Sequence, residues 1–185
     1  PRTRLHTFVG SLAAGDPMPF SAAARQQIEQ ADAVFLQGYT LLERQLPGLV
    51  DEALALARQL GKPLYFDVGP PAAAVPEERL RAVLAQMDVI MMTADEIEIV
   101  APAMDENEAC AALFALGISA IVIKRGGQGC SICTPDAHYE APGLPVTVVD
   151  TVGAGDCFNA AFVYGRCMGM SWQRAAELAN GMGAA

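Results

Sequence analysis

Apolar positions along the chain alternate between two periods. The short runs AVFLQG (33–38), PLYFDV (63–68), DVIMMT (88–93) and SAIVIKRG (119–126) are rich in β-branched, aromatic or methionine side chains and too brief for helices, which predicts strands. AVFLQG reads as a short buried strand, RLHTFVG (4–10) as a further one, and VTVVD (146–150) as the last. Between them the spacing becomes helical. SAAARQQIEQ begins with Ser21 as its N-cap, and LVDEALALARQLGK carries an apolar stripe and ends at Gly61. PEERLRAVLAQM has Pro76 near its first turn, and helices are predicted around DEIEIVAP and ENEACAALFALG. GCSICTPDAHYEAP reads as a hairpin turning at Thr134, Pro135 and Asp136, and helices follow from Gly155 and Ser171. Strand and helix alternate almost throughout, which predicts an α/β fold with a parallel sheet covered on both faces.

Ligands of such sheets bind outside the carboxyl ends of the strands. The rule selects Gly38, Asp67, Thr93 to Glu98, Lys124 to Gly129, and Asp150 to Asp156. Composition narrows the field. The 185 residues suffice for one domain with a sizeable core, and 52% hydrophobic content with a mean hydropathy of +0.27 is unlike a disordered chain. A net charge of -9 with scattered Lys and Arg argues against a nucleic-acid surface, and no apolar run is long enough to span a membrane. Five cysteines form no disulfide framework, so a reducing cytoplasm is the expected setting. Cys130 and Cys133 lie in a predicted strand at a spacing that puts them on opposite faces, so packing is their expected role; Cys157, Cys167, His6 and His138 have no evident partner.

The densest candidate chemistry is VVDTVGAGDCFNAAF, Val148 to Phe162. Gly153 and Gly155 allow a tight turn and close approach to a ligand, and the helix that follows aims free N–H groups and a positive dipole end at it. A dinucleotide fingerprint would require a third glycine where Phe158 stands, and no Walker A loop is present. Asp156 would repel a pyrophosphate beside it but suits a general base that takes a proton from a hydroxyl while the N–H groups stabilise the transferring phosphoryl. A helix-capping aspartate is the plain alternative.

The stretch DTVGAGDCF resembles the signature D-T-x-G-A-G-D-x-F of the ribokinase-like (PfkB) carbohydrate kinases. ADAVFLQGYTLL, ALALARQLGKPLYFDV, MTADEIEIV and IVIKRGGQGCSI are similar to successive segments of that family in the same order. The resemblance implies a three-layer α/β/α fold with a mostly parallel, Rossmann-like sheet. It also implies that residues 1–185 are a single partial kinase domain, central to C-terminal, without the N-terminal sugar-binding strands and lid. By the same resemblance Asp156 is the catalytic base, and the backbone of Gly153, Ala154 and Gly155 forms the anion hole. Lys124, Gly126 and Gly129 approach the ATP, with the Lys124 ammonium placed to contact a phosphate. Asp95 and Glu98 match an N-x-x-E segment that organises Mg²⁺, Glu98 indirectly, with Asp95 in place of the usual asparagine. Asp150 helps to hold a monovalent cation such as K⁺. Asp67 matches a strand-end acid, although DVGPP lacks the Pro-Asn-Arg continuation that follows it in the family.

The implied partners are ATP and a sugar or sugar acid, with a homodimer left open. The competing reading is a non-catalytic nucleotide-binding remnant or assembly partner, and a dinucleotide oxidoreductase is a weaker third.

Overall fold

The computed structural model describes residues 18–42 and 47–185. The strand predicted over 4–10 lies outside them. One six-stranded sheet runs in the order β1 (Val34–Gln37), β2 (Leu64–Asp67), β3 (Val89–Thr93), β4 (Ala120–Lys124), β5 (Gly129–Cys133) and β6 (His138–Pro142). The first four strands are parallel, and the β5–β6 hairpin adds two antiparallel strands at one edge.

The period-two alternation of the strands sorts the core into two layers. Leu64, Phe66, Ile90, Met92, Ile121 and Ile123 point to one face, where they meet α2 (Pro47–Gln59), α3 (Glu77–Leu84) and α5 (Glu106–Phe114). Tyr65, Val89, Met91, Ala120 and Val122 point to the other, against α6 (Ala154–Cys167) and α7 (Trp172–Gly183). Strands buried on both sides read as continuous apolar runs, as β3 and β4 do. The result is the three-layer α/β/α arrangement implied by the sequence. The remaining helices are short: α1 (Ala22–Gln30), capped by Ser21 Oγ, and the single-turn α4 (Ile97–Val100).

The α6–α7 pair is bound by a stack of rings. Phe162 is fully buried, with its ring centroid 6.3 Å from that of Phe158 and 6.2 Å from that of Trp172. Arg166 lies 3.7 Å over the Trp172 ring.

Two sequence expectations are corrected. β1 is half-buried rather than buried, with Phe35 37% exposed, because β2 is its sole partner among the described residues. VTVVD is not a strand: Val149 is 96% exposed, and the segment pairs with no strand among the described residues. The segment has to travel from the end of β6 to the start of α6, so Val146 to Asp150 line a cavity instead of pairing.

Phe162→Ala should cost about 3–5 kcal/mol in chemical denaturation, through lost burial and a residual cavity. Phe35→Ala should cost far less. Equal losses for the two would mean that the α6 face is not the packed layer described.

Candidate active site

Helix α6 begins without a side-chain cap. Gly153 occupies the N-cap position at φ 84°, a left-handed conformation that glycine adopts without strain. Ahead of it, Asp150 Oδ1 accepts from the Val152 N–H at 3.0 Å, and the Thr151 carbonyl accepts from Ala154 N–H at 3.2 Å. Asp150 thus shapes the loop that delivers the helix. A 14-residue helix with no side chain over its first turn presents backbone donors and the positive end of its dipole.

Two cavities meet at this turn. The first, about 420 Å³, is walled by Gly126, Gly127, Lys124 and Gly155, with Phe158 and Asn180 behind. A Cβ on Gly126, Gly127 or Gly155 would meet nothing within 4 Å, so the backbone there stands open to whatever enters. The second, about 720 Å³, is lined by Phe35, Gln37, Tyr39, Asp156, Asn159 and Val163. Adjacent residues of one helix turn, Gly155 and Asp156, therefore face different cavities. The Asp156 carboxylate is exposed and accepts from Gln37 Nε2 at 3.0 Å.

Beneath the turn lies an ionic bridge. Lys124 Nζ, at the end of β4, donates to Asp67 Oδ1 at 2.6 Å, across β3, and lies 3.3 Å from Asn159 Oδ1 on α6. The lysine and aspartate side chains are only 13% and 11% exposed. The sequence expectation of an ammonium turned to a phosphate is thus modified: Lys124 lines the first cavity but spends its charge on Asp67. Because an ammonium can only donate, Asn159 must turn its oxygen to Lys124. Its buried Nδ2 is then left without a partner among the described residues, a donor beside the second cavity.

The glycine turn after β4 is built for close packing. Gly129 sits at φ 97°, and a Cβ there would approach the Ala141 carbonyl to 2.1 Å. Its glycine is required by β6, whereas Gly126 and Gly127 form the open wall. Arg125 is anchored away from the cavity by both carboxylate oxygens of Glu106, at 2.6 and 2.8 Å.

The N-x-x-E segment divides. Asp95 is exposed just beyond β3. Glu98 is not brought to the glycine-walled cavity: its carboxylate lies 3.3 Å from the Ala103 N–H, and it lines a separate cavity among α3, α4 and α5. The buried acid of this segment is Glu96, which forms a capping box with Thr93. No three His, Cys, Asp or Glu side chains are grouped to hold a metal ion among the described residues. That donor set fits magnesium bound mainly through ligand phosphates and water, not a closed protein cage.

Gln37 and Asn159 were not singled out from the sequence. Gln37 precedes the selected Gly38, and Asn159 lies one helical turn beyond Asp156, on the same face.

An uncapped glycine turn thus lies between two cavities at the carboxyl ends of parallel strands, where α/β sheets place their ligands. The family model for pfkB family carbohydrate kinases matches residues 3–185, and the chain belongs to that family. It is 34% identical over 137 residues to an ATP-dependent ribose-1-phosphate kinase of Halopiger xanaduensis, covering 72% of this chain and 44% of the relative. It is 29% identical over 170 residues to a 2-dehydro-3-deoxygluconokinase of Dickeya dadantii, covering 86% and 55%. An E. coli protein provisionally named ribokinase II, solved with ATP and Mg²⁺, superposes with a TM-score of 0.77 at 26% identity, covering 86% of this chain and 53% of that one. The chain spans about half the length of the curated relatives it matches.

Asp67→Ala should cost about 3 kcal/mol by stranding the Lys124 ammonium. The double replacement Asp67→Leu with Lys124→Met should cost less than the sum of the single changes. Additive losses in denaturant titrations would show that the bridge is not a coupled unit.

Proposed function

We propose that this chain carries the phosphoryl-transfer half of an ATP-dependent kinase for a sugar or sugar-acid hydroxyl. The carrying observation is that Gly155 and Asp156 line different cavities. The glycine-walled cavity suits ATP, whose transferring phosphoryl would lie against the helix terminus at Gly155, while the Ala154 N–H is already engaged by the Thr151 carbonyl. The acceptor would occupy the second cavity, its hydroxyl within reach of Asp156.

Asp156 takes the hydroxyl proton as the oxygen attacks, while the helix terminus stabilises charge on the phosphoryl oxygens. Gln37 holds the carboxylate in place, and the free Nδ2 of Asn159 offers a donor to an acceptor oxygen. Bound with the phosphates, magnesium would supply charge neutralisation, with the exposed Asp95 the candidate to hold it through water; Asp150 is the candidate for a monovalent cation behind the loop. The ATP- and Mg²⁺-bound relative and the sugar-kinase names of the others support this reading.

ATP turnover against a panel of sugars and sugar acids tests it. Asp156→Asn should lower kcat by about 10²–10⁴ while ATP binding is retained. Unchanged turnover would remove Asp156 as the base. ATP binding without turnover on any acceptor would favour a nucleotide-binding protein without catalysis.

A further inference from the structure

The second cavity is lined by a donor whose orientation is locked from below. Asn159 is 1% exposed and follows Asp156 by one turn of α6, and both residues line that cavity. An asparagine amide is ordinarily ambivalent, because a flip exchanges its donor and its acceptor. Here the flip is blocked. Lys124 Nζ lies 3.3 Å from Oδ1 and has no lone pair to offer, so an amide turned the other way would set donor against donor. Lys124 is itself held by Asp67 at 2.6 Å, and both side chains are largely withdrawn from water. Nδ2 is buried and has no hydrogen-bond partner among the described residues. Of its neighbours around the cavity, Phe35, Ala160 and Val163 are apolar, and Gln37 donates to Asp156.

We propose, resting on the kinase reading of the two cavities, that Asn159 is the acceptor-specificity residue, selecting a substrate with a second oxygen beside the phosphorylated hydroxyl, and that Lys124 and Asp67 are positioning residues that lock its amide as a donor.

Helix geometry makes the selection. Asp156 and Asn159 stand at i and i+3 of one helix, so their side chains are neighbours on one face. An acceptor whose attacking hydroxyl meets the Asp156 carboxylate brings an adjoining carbon over Nδ2. A hydroxyl or carbonyl oxygen on that carbon accepts the amide N–H. A methylene there leaves the donor buried and unpaired, and an ammonium there opposes one donor with another. The selected class is therefore a polyol or hydroxycarbonyl compound, and the rejected compounds are its deoxy and amino analogues at that carbon. A site built to hydrogen-bond an oxygen discriminates more sharply against the analogue lacking it than an apolar wall discriminates against an added hydroxyl.

Asp67 reaches this choice from a distance. It ends β2, two strands from Lys124, and lines neither cavity. Its influence on the acceptor passes through the ammonium and the amide. Without the ammonium, Asn159 is free to turn Oδ1 into the cavity and accept from an amino group.

ATP turnover with D-ribose, D-fructose and D-gluconate, each beside its monodeoxy and monoamino analogues at carbons other than the phosphorylated one, tests the proposal. For the unmodified protein, kcat/KM for one deoxy analogue should fall about 100-fold below its parent, while KM for ATP changes less than about twofold. In Asn159→Leu the parent should drop to within about threefold of that analogue, with no loss of stability in denaturant. In the double variant Asp67→Asn with Lys124→Met, which strands neither charge, the amino analogue at the same carbon should gain about tenfold relative to the parent. Full deoxy discrimination retained in Asn159→Leu, or no discrimination in the unmodified protein, would overturn the role of Asn159 and leave the kinase reading standing. An unchanged ratio of amino analogue to parent in the double variant would overturn the positioning role of Lys124 and Asp67. ATP binding without turnover of any of the three sugars by the unmodified protein would instead remove the kinase reading, and the proposal with it.

Discussion

Lys124 ties the site to the sheet. Its ammonium reaches from the end of β4 over β3 to Asp67 on β2 and up to Asn159 on α6, so one side chain links two strands and the helix above them. Both charges are largely withdrawn from water, and neither can be removed without stranding the other. The bridge fixes where α6 begins relative to the strand ends. It also orients Asn159 and so leaves the Nδ2 donor beside the second cavity. The site is thereby built on strand ends and a helix, with the loop from β6 to α6 lining its first cavity.

The first turn of α6 can serve two cavities because of helix geometry. Successive residues are rotated by about 100° around the axis. Gly155 can therefore open one cavity while Asp156 lines the next, within a single turn. An acid and an uncapped helix terminus coexist because they face different cavities. The close approach of Gly129 to β6 and the anchoring of Arg125 by Glu106 keep the opposite wall in place without intruding on it.

The hairpin sorts its side chains between the two layers by the same alternation. Odd spacing within β5 sends Cys130 into the α6–α7 layer and Cys133 towards α5.

The sequence by itself determined the layering, since apolar runs of strand length between amphipathic helices have few other ways to bury both faces. It also determined the glycine turn and Asp156, because a local motif needs only its neighbours to be read. Tertiary structure alone decided the rest. VTVVD has strand composition, yet it runs from the end of β6 to the start of α6 along a cavity wall and pairs with no strand among the described residues. Asp67 and Lys124 are 57 residues apart, and Gln37 and Asp156 are 119 apart; pairings at such separations leave no local periodicity. His138 had no visible partner in the sequence because cross-strand register brings Cys133 to it, with Glu140 two residues along the same strand. Glu98 matched a motif by spacing, but a single helical turn carried its carboxylate to the Ala103 N–H instead of the glycine-walled cavity.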